Sequence, residues 1–422
     1  MRTTVAIPGA GPAGVAAAVH VSDRNIEPLI LEQGSQVAIA VREWGHVPMF
    51  SNRRFNFDAI AARRLERAGW QRPDPNTHPT GADLINGYRD PLGGSLAALL
   101  RLGQRVAAVS RDGIGKVRDA GRGAAPFVID TVGPNGPETF RADAVIDATG
   151  TWDQRNPGGA GRPVPGEEGH PMVSHGMPDI RGDDRARLIG RRVGVLGGGH
   201  SAIGNLIALA ALPGTRPIRL CRAQSAARAL GGGAADQLSA RGALGVEMAQ
   251  LVAAGKVALQ AGFRLAAIEG TGPVCAGATE GQCAEMDALI FSTGFRPDLS
   301  ILGELCLSLD PALECSPALA PLIDPNLHSC GTVRPHGAAE LSHPEPGFHT
   351  AGMKSCGRAP TFLLATGHEQ VRSTMAASDC CCGQALDRVV ACCIADEAAK
   401  DCGRAGCDCA ASQPEQKAAA CC

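Results

Sequence analysis

Several things are scarce in this chain, and each scarcity narrows what it can be. No apolar run approaches the roughly 18 residues that cross a bilayer, so a membrane-spanning helix is not expected. The start has no basic segment followed by an apolar stretch and a cleavage site, so secretion is not indicated and a cytoplasmic protein is expected. Charge is nearly balanced at a formal −2, which gives no electrostatic case for nucleic acid. Aromatics are few, with three Trp and one Tyr in 422 residues, so their concentration between 36 and 58 (Trp44, Phe50, Phe55 and Phe57, beside Arg42 and His46) stands out. That cluster fits either core packing or a wall for a planar ring. A length of 422 residues leaves room for two or three domains, each with its own core.

What is present begins with Thr3 to Glu32. An apolar run (Val5, Ala6, Ile7) leads into Gly9-Ala10-Gly11-Pro12-Ala13-Gly14, then into an alanine-rich segment, a second apolar run (Pro28 to Leu31) and Glu32. Strand, glycine turn, helix, strand and acid in this order are what a dinucleotide site requires. Gly9 permits the tight turn, Gly11 lets backbone approach a diphosphate, and Gly14 lets helix and strand pack closely. The helix N-terminus offers unpaired N–H groups to phosphate, and Glu32 accepts from a ribose hydroxyl.

Residues 81–102 read as a helix, and Arg105 to Val109, Phe127 to Asp130 and Ala144 to Asp147 read as strands. The last runs into Ala148-Thr149-Gly150, where small residues allow a cofactor to pass close to backbone. Trp152 to Asp179 is dense in Pro and Gly and reads as an irregular crossing between domains. A second signature follows: Arg191 to Leu196, then Gly197-Gly198-Gly199-His200-Ser201-Ala202, a G-x-G-x-x-A turn after a strand. Its next strand, Ile218 to Cys221, ends in Arg222 rather than an acid. An arginine there can pair with a 2′-phosphate, which favours NADPH over NADH, or it can be a solvated strand end, which leaves NADH open. Gly231-Gly232-Gly233, Asp236 and Arg241 come next, then a helix near 243–254, a strand before Glu269, and an apolar strand from Asp287 to Ser292. The last ends in Thr293-Gly294 and mirrors Thr149-Gly150.

Cysteine is abundant, with 17 residues, of which ten follow Asp379. Reduced thiols are expected in a chain of this length without an export signal. Leu386, Val389, Val390 and Cys393 follow helical spacing, and the remainder to Cys422 reads as a mobile tail. The tail cysteines fit no tetrahedral zinc spacing. They can be read as compositional bias without a task, or as vicinal thiolates for As(III) or Hg(II), with Cys380, Cys381, Cys421 and Cys422 as candidate ligands.

Both turns and both T-G strand ends together resemble the flavin-containing monooxygenase-like flavoproteins, and more narrowly a bacterial branch associated with arsenic or heavy-metal resistance. The resemblance covers about residues 3–375. It rests also on Arg42 to Val47, Gly199 to Ala202, Gly231 to Ala234, His328 to Val333, Gly352 to Ser355 and Pro360 to Phe362. It implies an α/β fold of two dinucleotide-binding, Rossmann-like, three-layer domains, with an NADPH domain (156–298) inserted in an FAD domain (1–155 and 299–378), and a Cys-rich tail (379–422). It implies FAD on the first turn, held by Gly9, Ala10, Gly11, Pro12, Ala13, Gly14, Glu32, Gln33, Arg42, Trp44, Val106, Ala148, Thr149 and Gly150. Gly352, Lys354 and Thr361 would come from a segment covering the flavin ring. NADPH would be held by Gly197, Gly199, His200, Ser201, Ala202, Arg222, Thr293 and Gly294. The chain departs from the family where an F-x-G-x-x-x-H signature is expected; the nearest stretch is Met172 to Pro178. Where the branch carries Tyr, this chain has His175, His349, Cys356 and His368.

Disulfide and mercuric reductases place C-x-x-x-x-C soon after the first nucleotide unit, and between Glu32 and Phe57 there is no Cys. Cys421-Cys422 nevertheless resembles the C-terminal pair of mercuric reductases. No serine triad is visible. The expected reaction is hydride transfer from NADPH to flavin, then oxygen addition giving a hydroperoxide that oxygenates a soft nucleophile (S, N or trivalent As). A metal or thiol reductase, and a non-enzymatic metal-binding or redox-sensing flavoprotein, are the alternatives.

Overall fold

The computed structural model describes residues 3–222, 236, 238–270, 274–278, 283–328, 333–334 and 336–379. The Cys-rich tail from Cys380 on, Gly231 to Ala234 and Ser329 to Thr332 lie outside the described residues.

Two parallel five-stranded sheets organise the molecule. The first runs β16-β7-β1-β2-β3, with β1 Thr4–Pro8, β2 Glu27–Glu32, β3 Leu100–Leu102, β7 Ala144–Asp147 and β16 Phe348–Thr350. The second runs β11-β10-β9-β15-β8, with β8 Val173–His175, β9 Arg192–Leu196, β10 Arg216–Leu220, β11 Ala258–Gln260 and β15 Ala288–Phe291. A strand covered on both faces needs apolar residues of both parities, and β1 has them. Val5 and Ile7 pack on the side of helix α1 (Pro12–Asp23), while Ala6 packs on the side of an antiparallel meander, β4 Arg105–Arg111, β5 Phe127–Gly133 and β6 Gly136–Ala142.

The second sheet repeats this layering. Val193 and Val195 face helix α2 (His200–Ala210), and Leu196 faces a meander of β12 Leu265–Glu269, β13 Val274–Ala278 and β14 Cys283–Met286. Helix α3 (Ser239–Ala253) packs beside α2. Late in the chain, β16 pairs with β7, and helix α4 (Leu364–Asp379) lies against α1, so C-terminal residues complete the first sheet and its helical layer. No helix among the described residues is long and apolar enough to cross a membrane.

Three details differ from the sequence reading. The helix over 81–102 stops at Gly94, and Leu100–Leu102 instead forms β3, parallel to β2. Gly93-Gly94 weakens the helix there, and pairing with β2 gains a sheet edge. The crossing region contains one short strand, β8, paired with β15. Among the described residues one cysteine pair is oxidised: Cys275 and Cys283 are joined across β13 and β14, with Cα atoms 5.8 Å apart.

Candidate functional site

The first glycine turn is shaped by atoms that leave no room for side chains. Gly9 has φ +92°, and a Cβ on it would stand 2.5 Å from the Ala148 carbonyl oxygen. A Cβ on Gly14 would stand 1.9 Å from the Gly9 oxygen. A Cβ on Gly11 would meet no protein atom within 4 Å. Gly9 and Gly14 are thus required by the fold, whereas Gly11 borders open space at the N-terminus of α1, as a diphosphate needs. Glu32 is buried, and each of its oxygens accepts a backbone N–H, Oε2 from Ala10 at 2.6 Å and Oε1 from Gly34 at 2.8 Å. Burial pushes its carboxyl pKa up, and the Gly34 and Ala10 hydrogen bonds oppose that shift. The carboxylate therefore ties the turn to β2 and keeps lone pairs free for further donors.

A cavity of about 260 Å³ opens beside it, lined by Gly9, Glu32, Gln33, Val106, Thr149 and Gly150 among the expected residues. Gln104, Trp152, Asp153, Gln154, Asp298 and Ile301 also line it. Gln33 Nε2 donates to Asp153 Oδ2 at 2.5 Å, linking two residues of the cavity wall.

The two T-G strand ends meet. Gly150 and Gly294 both have positive φ, +72° and +84°. The aromatic residues that follow them, Trp152 and Phe295, stack with ring centroids 4.5 Å apart. Asn156 Nδ2 donates to the carbonyls of Thr293 and Phe295, and Thr293 Oγ1 donates back to the Asn156 carbonyl. Trp152 Nε1 donates to Glu43 Oε2 at 2.6 Å. The junction between the two sheets is therefore a clamp of aromatic stacking and hydrogen bonds.

Behind Thr149 lies a buried ion pair. Lys354 Nζ stands 2.6 Å from Asp147 Oδ2 and donates to Thr149 Oγ1 at 2.9 Å, while Asp147 Oδ1 accepts from the Thr149 amide at 3.0 Å. Gly352 has φ +73°, and its N–H donates to Gln370 Oε1 at 2.9 Å. The 350s segment is thus bonded to the first T-G end. Asp147 was not anticipated, although it directly precedes Ala148-Thr149-Gly150.

The second turn repeats the first with different chemistry. A Cβ on Gly197 would stand 2.3 Å from the Ser292 oxygen, while Gly198 and Gly199 have nothing within 4 Å. Ala202 is fully buried where the first turn has Gly14. His200 opens α2 with its ring 5.9 Å from that of Phe50, joining the aromatic cluster to this turn. Burial and the nearby Arg241 hold its pKa low, and Asp236 opposes them. Ser201 and Arg222 are exposed.

Phe57 packs on Trp70 and Tyr88 in the core, and Phe55 is largely exposed, so the aromatic cluster is divided rather than one wall. Trp44 is half-buried against Gly81, and Arg42 pairs with Asp90. Thr361 is buried and donates to the Ile323 carbonyl at 3.0 Å. His349, Cys356 and His368 are buried, and His368 meets the Arg89 guanidinium at 3.3 Å. His175 stacks on Phe291 at 5.0 Å. No group of three or more potential metal ligands occurs among the described residues.

No family model and no curated protein matches the sequence. Solved structures do match in fold. A bacillithiol disulfide reductase from Bacillus cereus superposes with a TM-score of 0.67 at 19% identity, over 89% of this chain and 98% of that one. A mutant flavin monooxygenase from Stenotrophomonas maltophilia gives 0.55 at 20% identity, over 90% and 100%. An ornithine N-hydroxylase from Kutzneria, solved with reduced FAD, NADP+ and L-ornithine, gives 0.57 at 16% identity, over 90% and 100%. The chain thus has the fold of two-domain flavoproteins, a mixed α/β architecture with two parallel sheets.

Proposed function

We propose that this chain is an FAD-dependent NADPH oxidoreductase, and that its second substrate is a soft nucleophile (sulfur, nitrogen or trivalent arsenic) oxygenated at the expense of dioxygen. The observation that carries the cofactor reading is the first turn. Gly11 faces open space at a helix N-terminus, beside a cavity closed by a buried Glu32. Glu32 would bind the ribose, the amides at Gly11 to Ala13 the diphosphate, and the Gly352 to Lys354 segment would lie toward the ring. Lys354, paired with Asp147 and bonded to Thr149, fixes the 350s segment against the first T-G end. On the second turn, Gly198, Gly199 and the α2 N-terminus would take the diphosphate of NADPH, with Arg222 near its 2′-phosphate. FAD, when bound, supplies hydride acceptance and reaction with oxygen.

Oxygenation is favoured over a thiol relay by where the cysteines sit. Among the described residues Cys221, Cys306, Cys315 and Cys356 are outside any disulfide, and none falls in the segment after Glu32. Burial pushes the Cys315 thiol up to about 12, too high for a thiolate nucleophile. The joined pair belongs to the meander of the second sheet.

The test is a spectrum followed by turnover. Purified protein should carry bound flavin that NADPH bleaches under nitrogen. Oxygen uptake should then rise with a thioether, an amine or arsenite. Protein that cannot be loaded with flavin overturns the cofactor reading. NADPH-driven consumption of a low-molecular-weight disulfide, without oxygen uptake, would assign a reductase instead.

A further inference from the structure

Arg219 interrupts an apolar strand, between Ile218 and Leu220 of β10. Its side chain is fully buried. Nη2 donates to the Gly198 carbonyl at 3.1 Å, and Nε and Nη1 have no hydrogen-bond partner among the described residues. The carboxylate of this region, Asp236, is already bound by both Nε and Nη2 of Arg241, at 2.7 and 2.8 Å. Asp236 is also 4.0 Å from His200. Among the described residues, the surroundings of the turn thus hold one more fixed positive charge than negative.

A buried guanidinium without an acid costs stability, and a single bond to a carbonyl does not require an arginine. The direction of that bond says what the charge is for. In a trans peptide the C=O and the following N–H point opposite ways. With the Gly198 carbonyl turned to Arg219, the Gly199 N–H points away from the guanidinium, and neither Gly198 nor Gly199 would bring a Cβ within 4 Å of another atom. The α2 N-terminus opens on the same turn, and α2 is 11 residues long.

We propose that Arg219 is a positioning residue whose missing counter-ion is the diphosphate of the nicotinamide dinucleotide. From behind Gly198 it fixes and polarises the 198–199 peptide, and the bound anion compensates its charge. This rests on the reading of the second turn as the NADPH site and adds a residue that acts on NADPH and NADH alike, since both carry the diphosphate.

The experiment uses full-length, flavin-loaded protein with Arg219→Met and Arg219→Gln. Gln can still donate to Gly198 but has no charge. Calorimetry would give the dissociation constants of NADP+ and NAD+, and circular dichroism the thermal midpoint without dinucleotide. Both variants should bind both dinucleotides about tenfold more weakly. Their dinucleotide-free midpoint should equal or exceed that of the parent, because an uncompensated buried charge has gone. Parent-like binding by Arg219→Gln would overturn the proposal, and so would a fall in midpoint that accounts for the weaker binding. If Arg219→Met fails to fold, Arg219→Gln decides alone by the same criteria. A parent protein that binds neither dinucleotide would sink the NADPH reading itself, before Arg219 is considered.

Discussion

The two sheets carry the same backbone device with opposite chemistry around it. In the first, the turn is tied to the next strand by an acceptor: Glu32 at the end of β2 takes the Ala10 amide. In the second, a donor does the tying, as Arg219 within β10 reaches the Gly198 carbonyl. The glycines agree where backbone is crowded, since Gly9 and Gly197 each face the carbonyl of the strand that ends in T-G. The meanders differ too. That of the first sheet is fastened to the C-terminal part of the chain by buried Glu345, which pairs with Arg111 at 2.8 Å and Arg122 at 2.7 Å. That of the second is cross-linked within itself by Cys275–Cys283. Steric rules fix the repeated backbone, while the charged residues around it are free to diverge.

The meander contrast gives the largest expected effect. Glu345→Ala leaves two buried guanidiniums without their acid and should cost about 3–5 kcal/mol. Losing the disulfide in Cys275→Ser releases only a short loop and should cost about 2 kcal/mol. Urea unfolding of both variants checks the ranking. Equal losses would mean that the triad is no stronger an anchor than the cross-link.

Acid should strike the first sheet before the second. His349 and His368 are buried, and burial holds their pKa values at about 4 and about 3. Nδ1 of His349 has no acceptor among the described residues to welcome a proton, and His368 faces Arg89. Their folded values lie below the unfolded value of 6.5, so the unfolded state binds more protons between them. The stabilisation is complete above pH 6.5 and is lost as pH falls toward 4. At pH 5.5 the pair should cost up to about 3 kcal/mol. Glu345 works in a lower window: its carboxyl is held low despite its burial, chiefly by the hydrogen bond from Arg122, so its contribution survives until pH falls below its unfolded value of 4.5. Unfolding at pH 7.5 and 5.5 of the parent and of a His349→Gln, His368→Gln double variant separates these two histidines from His175, His200, His336 and His343, whose pKa values burial also lowers, and an equal pH dependence in parent and variant would refute this.

Crowding at the turns can be separated from binding there. Gly14→Ala puts a Cβ 1.9 Å from backbone oxygen and should cost about 2 kcal/mol. At the matching place in the second turn alanine is already present, and Ala202→Gly should cost about 1 kcal/mol. Gly11→Val should leave the thermal midpoint of flavin-free protein within a few degrees while abolishing retention of flavin. Loss of folding in Gly11→Val would remove the distinction between structural and binding glycines.

Both turns and both T-G ends were legible because each needs particular small residues at fixed spacing. Their meeting through Trp152 and Phe295 was not, since stacking across 143 positions leaves no local pattern. Strand β3 was hidden because Leu100 to Leu102 continues a helical periodicity, and only pairing with β2 overrides it. Glu345 lies between Pro344 and Pro346 with no local pattern to mark it, yet it gathers Arg111, Arg122 and the Cys306 amide from distant segments. Arg219 was legible in hindsight as a lone charge in an apolar strand. Arg222, by contrast, stands at the strand end, where a ribose-reading residue is expected.

The smallest effect separates these two arginines and returns to the contrast with Glu32. Glu32 is 5% exposed and held by two amides, so whatever it binds is bound rigidly. Arg222 is exposed at the end of its strand, and a long side chain in water loses rotamer freedom when it pairs. Its pairing with a 2′-phosphate should therefore give selectivity of modest size. Arg222→Ala is expected to weaken NADPH about tenfold and to leave NADH within about twofold, because only the former has the extra phosphate. The difference should shrink as salt is raised, since exposed charges are screened over about 10 Å at 0.1 M. Dissociation constants for both dinucleotides at low and high salt provide the measurement. Equal weakening of the two would move Arg222 from the 2′-phosphate to the diphosphate, and erase its distinction from Arg219.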